Sequence, residues 1–141
     1  MKMKQGFTLA ELIMVILIIG ILAALALPQF SKTKEHAIGK EAIANLKLIA
    51  AAEKIYRMEE VVYYPIPAGT KSNISGVDCA TDGNINDCLR LSIFSGTSRN
   101  WDYAVNSSTN VSTATRTSGS SSGCTYTMSF TAGEPTNVNC P

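Results

Sequence analysis

From Phe7 to Leu27 the sequence holds 21 consecutive residues of which only Glu11 is charged, and beyond them apolar positions recur at helical spacing. As a helix the first run spans ~31 Å at ~1.5 Å per residue, enough for one bilayer crossing. The second set is Ile38, Ala42, Leu46, Ile49, Ala52 and Tyr56, with Lys40, Lys47 and Lys54 falling largely elsewhere. That pattern predicts an amphipathic helix to about Met58, continuous with the first run, in all roughly 50 residues. Pro28 lies inside it, and an interior proline costs on the order of 3 kcal/mol through its missing hydrogen bond. A kink or loosened turn between Gly20 and Pro28 is therefore expected, with Gly39 a second soft point; the alternative is a helix that stops at Leu27 and restarts at Gln29.

After Met58 the pattern changes. Val61 to Pro67 is extended by composition, and a Gly/Asn/Asp-rich loop runs from Ala68 to about Asn86, with a short helix expected around Asn86 to Leu91. Alternating stretches follow at Trp101–Val105, Val111–Thr117, Cys124–Phe130 and Thr136–Asn139. The expected fold class is α+β: a long N-terminal helix, half apolar and half amphipathic, packed on an antiparallel sheet of about four strands. Tyr63, Tyr64, Trp101, Tyr103 and Tyr126 are expected in its core, and the Ser/Thr-rich face of the sheet in water. Three segments result: a leader 1–6, an apolar helix 7–28, and an extracytoplasmic head 29–141.

Charge refines this picture. Lys2 and Lys4 precede the apolar run and should keep the amino end in the cytoplasm. The whole chain carries 12 basic and 11 acidic side chains, so no nucleic-acid partner is expected. Removing Met1 to Gly6 leaves 10 basic against 11 acidic groups. Glu11 is the informative charge. A helix dipole contributes only ~0.3–1 kcal/mol to such a carboxylate, against roughly 2.5–3.5 kcal/mol for a charge in a membrane helix. Proteolysis between Gly6 and Phe7 would create an amine at Phe7 near Glu11 in the same chain; the same pair formed between neighbouring copies would neutralise both and set the axial register. A secretory signal cut near Ala24-Leu25-Ala26 competes with this reading, but Glu11 and the continuing helical pattern count against it.

Cys79, Cys88, Cys124 and Cys140 all lie in the second half. An even count in an exported domain points to disulfides; of three possible pairings the local one, Cys79–Cys88 with Cys124–Cys140, is favoured. Zinc is disfavoured, because no C-x-x-C pair exists and His36 is remote. No nucleophile and base arrangement, phosphate loop or metal cluster supports catalysis, so no enzyme activity and no cofactor are expected.

The stretch G-F-T-L-A-E-L-I-M-V-I from Gly6, with its short basic leader and Pro28 behind, resembles the class III signal sequence of type IV pilins and pseudopilins. The resemblance covers about Lys2 to Gln29. It implies cleavage after Gly6 by a membrane prepilin peptidase, N-methylation of Phe7, and a register role for Glu11. It also implies a filament drawn from the inner membrane by an assembly platform with an ATPase, ending as an extracellular or periplasmic polymer of this chain. Cys124 and Cys140 would bracket the carboxy-terminal disulfide region of a pilin. Pseudopilins of type II secretion also suggest a calcium loop at Asp82, Asn84, Asn86 and Asp87. That segment lacks glycine at its sixth position and glutamate at its twelfth, which favours a disulfide-clamped turn. The reading is thus a pilus-like structural subunit, with a type II secretion pseudopilin as runner-up and a monomeric anchored binding module as a third possibility.

Overall fold

The computed structural model describes residues 6–65, 69–73, 83–119 and 121–140. Its elements are α1 (Leu9–Glu60), β1 (Thr70–Ser72), α2 (Ile85–Cys88), β2 (Trp101–Asn106), β3 (Val111–Arg116), β4 (Thr125–Ser129) and β5 (Thr136–Val138). The chain divides into two units, the first ending at His36 and the second beginning at Ala37.

In the first unit α1 runs uninterrupted through Gly20 and Pro28, so the alternative of a stop at Leu27 does not hold. Ser31 Oγ donates to Pro28 O at 3.2 Å and Thr33 Oγ1 to Gln29 O at 3.0 Å, so hydroxyls bond carbonyls just after the proline. Every described residue from Gly6 to Lys34 is exposed. This apolar surface is long and hydrophobic enough to cross a membrane.

In the second unit the five strands form one antiparallel sheet in the order β1-β2-β3-β4-β5. The sequence pattern accounts for β2 to β5; β1 is added, because T-K-S is too short and too polar to signal a strand. Asn73 continues its pairing by other means. Its N–H donates to Tyr103 O and its Oδ1 accepts from Tyr103 N, both at 3.0 Å, so the side chain imitates a ladder rung. The turns carry their own chemistry. Asn106 Oδ1 accepts from Ser108 N and Thr109 N before β3, while Gly119 and Gly123, at φ 93° and 84°, turn β3 into β4.

Alternation decides the core. Trp101, Tyr103 and Val105 of β2 and Tyr126 and Met128 of β4 face inward and meet Ala42, Leu46, Ile49 and Ala50 of α1. Burying Leu46 or Ile49 contributes roughly 1.5–3 kcal/mol each. Polar bonds set the helix against the sheet: Trp101 Nε1 donates to Ile38 O at 2.9 Å, and Asn45 Nδ2 to Tyr103 Oη at 2.8 Å. Burial pushes the Tyr103 phenol up to about 12, against the opposing effect of the Asn45 bond. Four of the five expected core aromatics are buried; Tyr63 is half-buried, tilted on buried Phe130 at 4.9 Å.

Two expectations need correction. Ala52 and Tyr56 are only half-buried, and the fully buried helical position between them is Glu53. Not every hydroxyl of the sheet faces water either: Ser112 points inward and donates to Met128 O at 3.2 Å. The outward row pairs Thr113 with Thr127 and Thr127 with Thr136, and the last two hydroxyls lie 2.8 Å apart. β5 has no buried residue, and the Cys124–Cys140 disulfide, with Cα atoms 4.8 Å apart, holds the chain after it to the start of β4.

Candidate functional site

The sequence places its candidate chemistry at the first turn of α1, and the structure gives that turn a definite form. Thr8 precedes the helix and Glu11 stands three residues on, the spacing of a capping box. Thr8 N donates to Glu11 Oε2 at 2.9 Å, Thr8 Oγ1 donates to the same oxygen at 2.8 Å, and Glu11 N donates to Thr8 Oγ1 at 3.3 Å. One helix-terminal N–H and one carboxylate oxygen are thereby satisfied within a single chain. Glu11 Oε1 has no hydrogen bond to a described residue. Gly6 and Phe7 lie just before the helix, exposed, and a Cβ at Gly6 would meet nothing within 4 Å.

Sequence reasoning missed Thr8, although T-x-x-E ahead of an apolar run was there to be read. It partnered Glu11 with the Phe7 amine, of its own or a neighbouring chain, and not with Thr8. The geometry adds an internal partner and leaves one carboxylate oxygen for an external one.

The remaining predicted residues are placed apart from this turn. Gly20 and Pro28 lie within α1. Cys124 and Cys140 are joined; Cys88 is disulfide-bonded, while its expected partner Cys79 lies outside the described residues. Of the calcium candidates, Asp82 also lies outside them. Asn84 Oδ1 accepts from Asn86 N at 2.9 Å as the cap of α2, and Asn86 Oδ1 accepts from Ile93 N at 3.1 Å, so both amide oxygens are engaged in holding the loop. No group of three or more His, Cys, Asp or Glu side chains that could hold a metal occurs among the described residues.

Glu53 is the other group that sequence reasoning passed over. Fully buried, it accepts from Tyr64 N through Oε2 at 3.0 Å, which ties the chain after α1 back to the helix. Oε1 has no hydrogen-bond partner. Burial pushes its carboxyl from an ordinary 4.5 up to about 7, with the Tyr64 bond opposing. Its place on the stripe Ala42, Leu46, Ile49, Glu53 was visible in the helical period.

Two lysines ahead of Gly6, a capped glutamate and an apolar helix of membrane-crossing length thus follow one another at the amino end. The family model for the prokaryotic N-terminal methylation motif matches residues 1–27. Through this region the chain is similar to type IV pilins and to pseudopilins of type II secretion. It is 46% identical over 60 residues to the type IV major pilin protein PilA of Myxococcus xanthus, covering 43% of this chain and 27% of that one. It is 39% identical over 62 residues to the type II secretion system core protein G of Pseudomonas aeruginosa, covering 44% of each. A fimbrial protein of Pseudomonas aeruginosa is 37% identical over 76 residues, 52% of this chain and 49% of that one. The chain thus spans between about a quarter and a half of the length of these relatives. No solved structure gives a significant match.

Proposed function

We propose that the chain is a structural, non-enzymatic subunit of a type IV pilus-like filament. It is inserted in the inner membrane as a precursor, cut after Gly6, N-methylated at Phe7, and polymerised through the helix 7–28 into an extracytoplasmic fibre. The observation that carries this reading is the capped Glu11 at the head of an otherwise apolar, fully exposed helix. Apolar burial alone would give helices no preferred axial offset. A carboxylate with one oxygen held by Thr8 and the other open to a neighbour's Phe7 amine supplies one. The prepilin peptidase and an ATP-driven assembly platform are the partners this path requires.

A type II secretion pseudopilin is the second reading, supported by the similarity to core protein G, which rivals that to the pilins. Long surface fibres favour the pilus; a short periplasmic fibre and a calcium requirement favour the pseudopilin. Glu11→Ala tests the shared premise. Truncating one member of a desolvated charge pair costs roughly 2–5 kcal/mol, so fibre yield should fall more than tenfold while membrane insertion and head folding persist. Normal yield from the variant overturns the proposal. Mass spectrometry of the mature chain should give methylated phenylalanine at Phe7; a start at Leu27 indicates simple secretion instead.

A further inference from the structure

At the carboxyl end of α1, within the second unit, a cavity of about 490 Å³ opens beside the turn that follows the helix. Small-molecule sites fall in the range of roughly 300–1,000 Å³. Its wall includes Arg57, Val61, Val62, Tyr63, Asn110 and Thr131. Arg57 Nη1 donates to Tyr63 Oη at 3.1 Å and its Cζ lies 4.9 Å from the Tyr63 ring centroid, so the guanidinium is held in place at the wall. Tyr63 in turn is braced by Phe130. No carboxylate pairs with Arg57 among the described residues, which leaves most of its five N–H donors for a ligand.

The turn itself is strained. Val61 has φ 68°, a left-handed conformation that a β-branched residue rarely adopts, and strain of this kind concentrates at functional sites. Val61 N still donates to Arg57 O at 2.9 Å, closing the helix while the chain reverses past the cavity.

We infer that this pocket binds an acidic monosaccharide, a hexuronate whose carboxylate meets the Arg57 fork and whose ring lies against Tyr63 and Val62. A guanidinium matches a carboxylate in charge and geometry, and a single cation suits a monoanion. Thr131 Oγ1 lies 3.1 Å from Ser129 Oγ and keeps capacity for a second hydrogen bond; an aliphatic acid would satisfy Arg57 but use neither that capacity nor the Asn110 amide, whereas sugar hydroxyls engage both. The aromatic and apolar wall accommodates the ring's C–H face. Binding is measured on unassembled chains, so its outcome is read separately from that of the filament proposal.

The test is calorimetric titration of the full chain, in micelles of a sugar-free polyoxyethylene detergent, with D-glucuronate, D-glucose and acetate. Glucuronate should bind at least about tenfold more tightly than either of the others, and Arg57→Gln should weaken it by about tenfold or more. Trp101 fluorescence reports whether each variant is folded. Should Arg57→Gln fail to fold, Asn110→Asp, which sets a negative charge on the rim, should weaken glucuronate by a similar factor. Binding no tighter than glucose or acetate, or binding undiminished by the folded variant, overturns the inference.

Discussion

Glu53 makes the stability of the head depend on pH in an unusual direction. Most carboxylates that matter to a fold are stabilised as anions, so stability falls on acidification. Glu53 is buried at 0% exposure with one oxygen unpartnered, and burial raises its carboxyl from 4.5 to about 7. Between those values the folded state holds a proton that the unfolded state has released. Stability therefore declines as pH rises through this window: the contribution is fully present below about 4.5 and lost above about 7. At about 1.36 kcal/mol for each pH unit, ionisation of Glu53 costs roughly 3 kcal/mol by pH 8. Tyr56, pushed upward by burial and by Glu60 and Glu53, titrates well above the window. Glu53→Gln keeps the size and the acceptor for Tyr64 N but cannot ionise. Urea unfolding in detergent micelles, followed through Trp101, the single tryptophan and a buried residue of the head, reads this unit directly. The difference between variant and parent should be small at pH 4.5 and should reach roughly 3 kcal/mol in favour of the variant at pH 8. Subtraction cancels the other titrating groups. A difference that stays flat with pH, or a parent that gains stability relative to the variant on raising the pH, refutes the reasoning.

Two further outcomes follow from the same unit. Asn73→Ala removes the acceptor of the buried Tyr103 N–H and should destabilise the head by about 1–3 kcal/mol in the Trp101-monitored urea transition, with Asn73→Asp partly restoring it. Replacing both Cys124 and Cys140 by serine opens a bridge spanning 16 residues; the head should lose about 3 kcal/mol. Hydrogen exchange should then show the loss concentrated at β5, which buries no residue of its own.

What the sequence alone determined is whatever depends on near neighbours along the chain. A helix repeats every 3.6 residues and a strand every two, so the long α1, the strands β2 to β5 and the apolar helix 7–28 could be read from spacing. The processing motif and Glu11 were legible for the same reason, as fixed offsets from Gly6. Thr8 and Glu53 carry local signals too, one as a capping box and one as a member of the helical stripe, but as polar residues they fall outside an apolar-periodicity pattern. Only the tertiary structure could decide what depends on distant partners. β1 is too short to carry a periodic signal and exists because β2 offers it an edge, with Asn73 completing the pairing. Ser112 faces inward because the register of β3 between β2 and β4 places it there, whatever its polarity. The pocket beside Arg57 joins α1, the following turn, the β2–β3 loop and the end of β4, residues up to 74 positions apart that no local pattern connects.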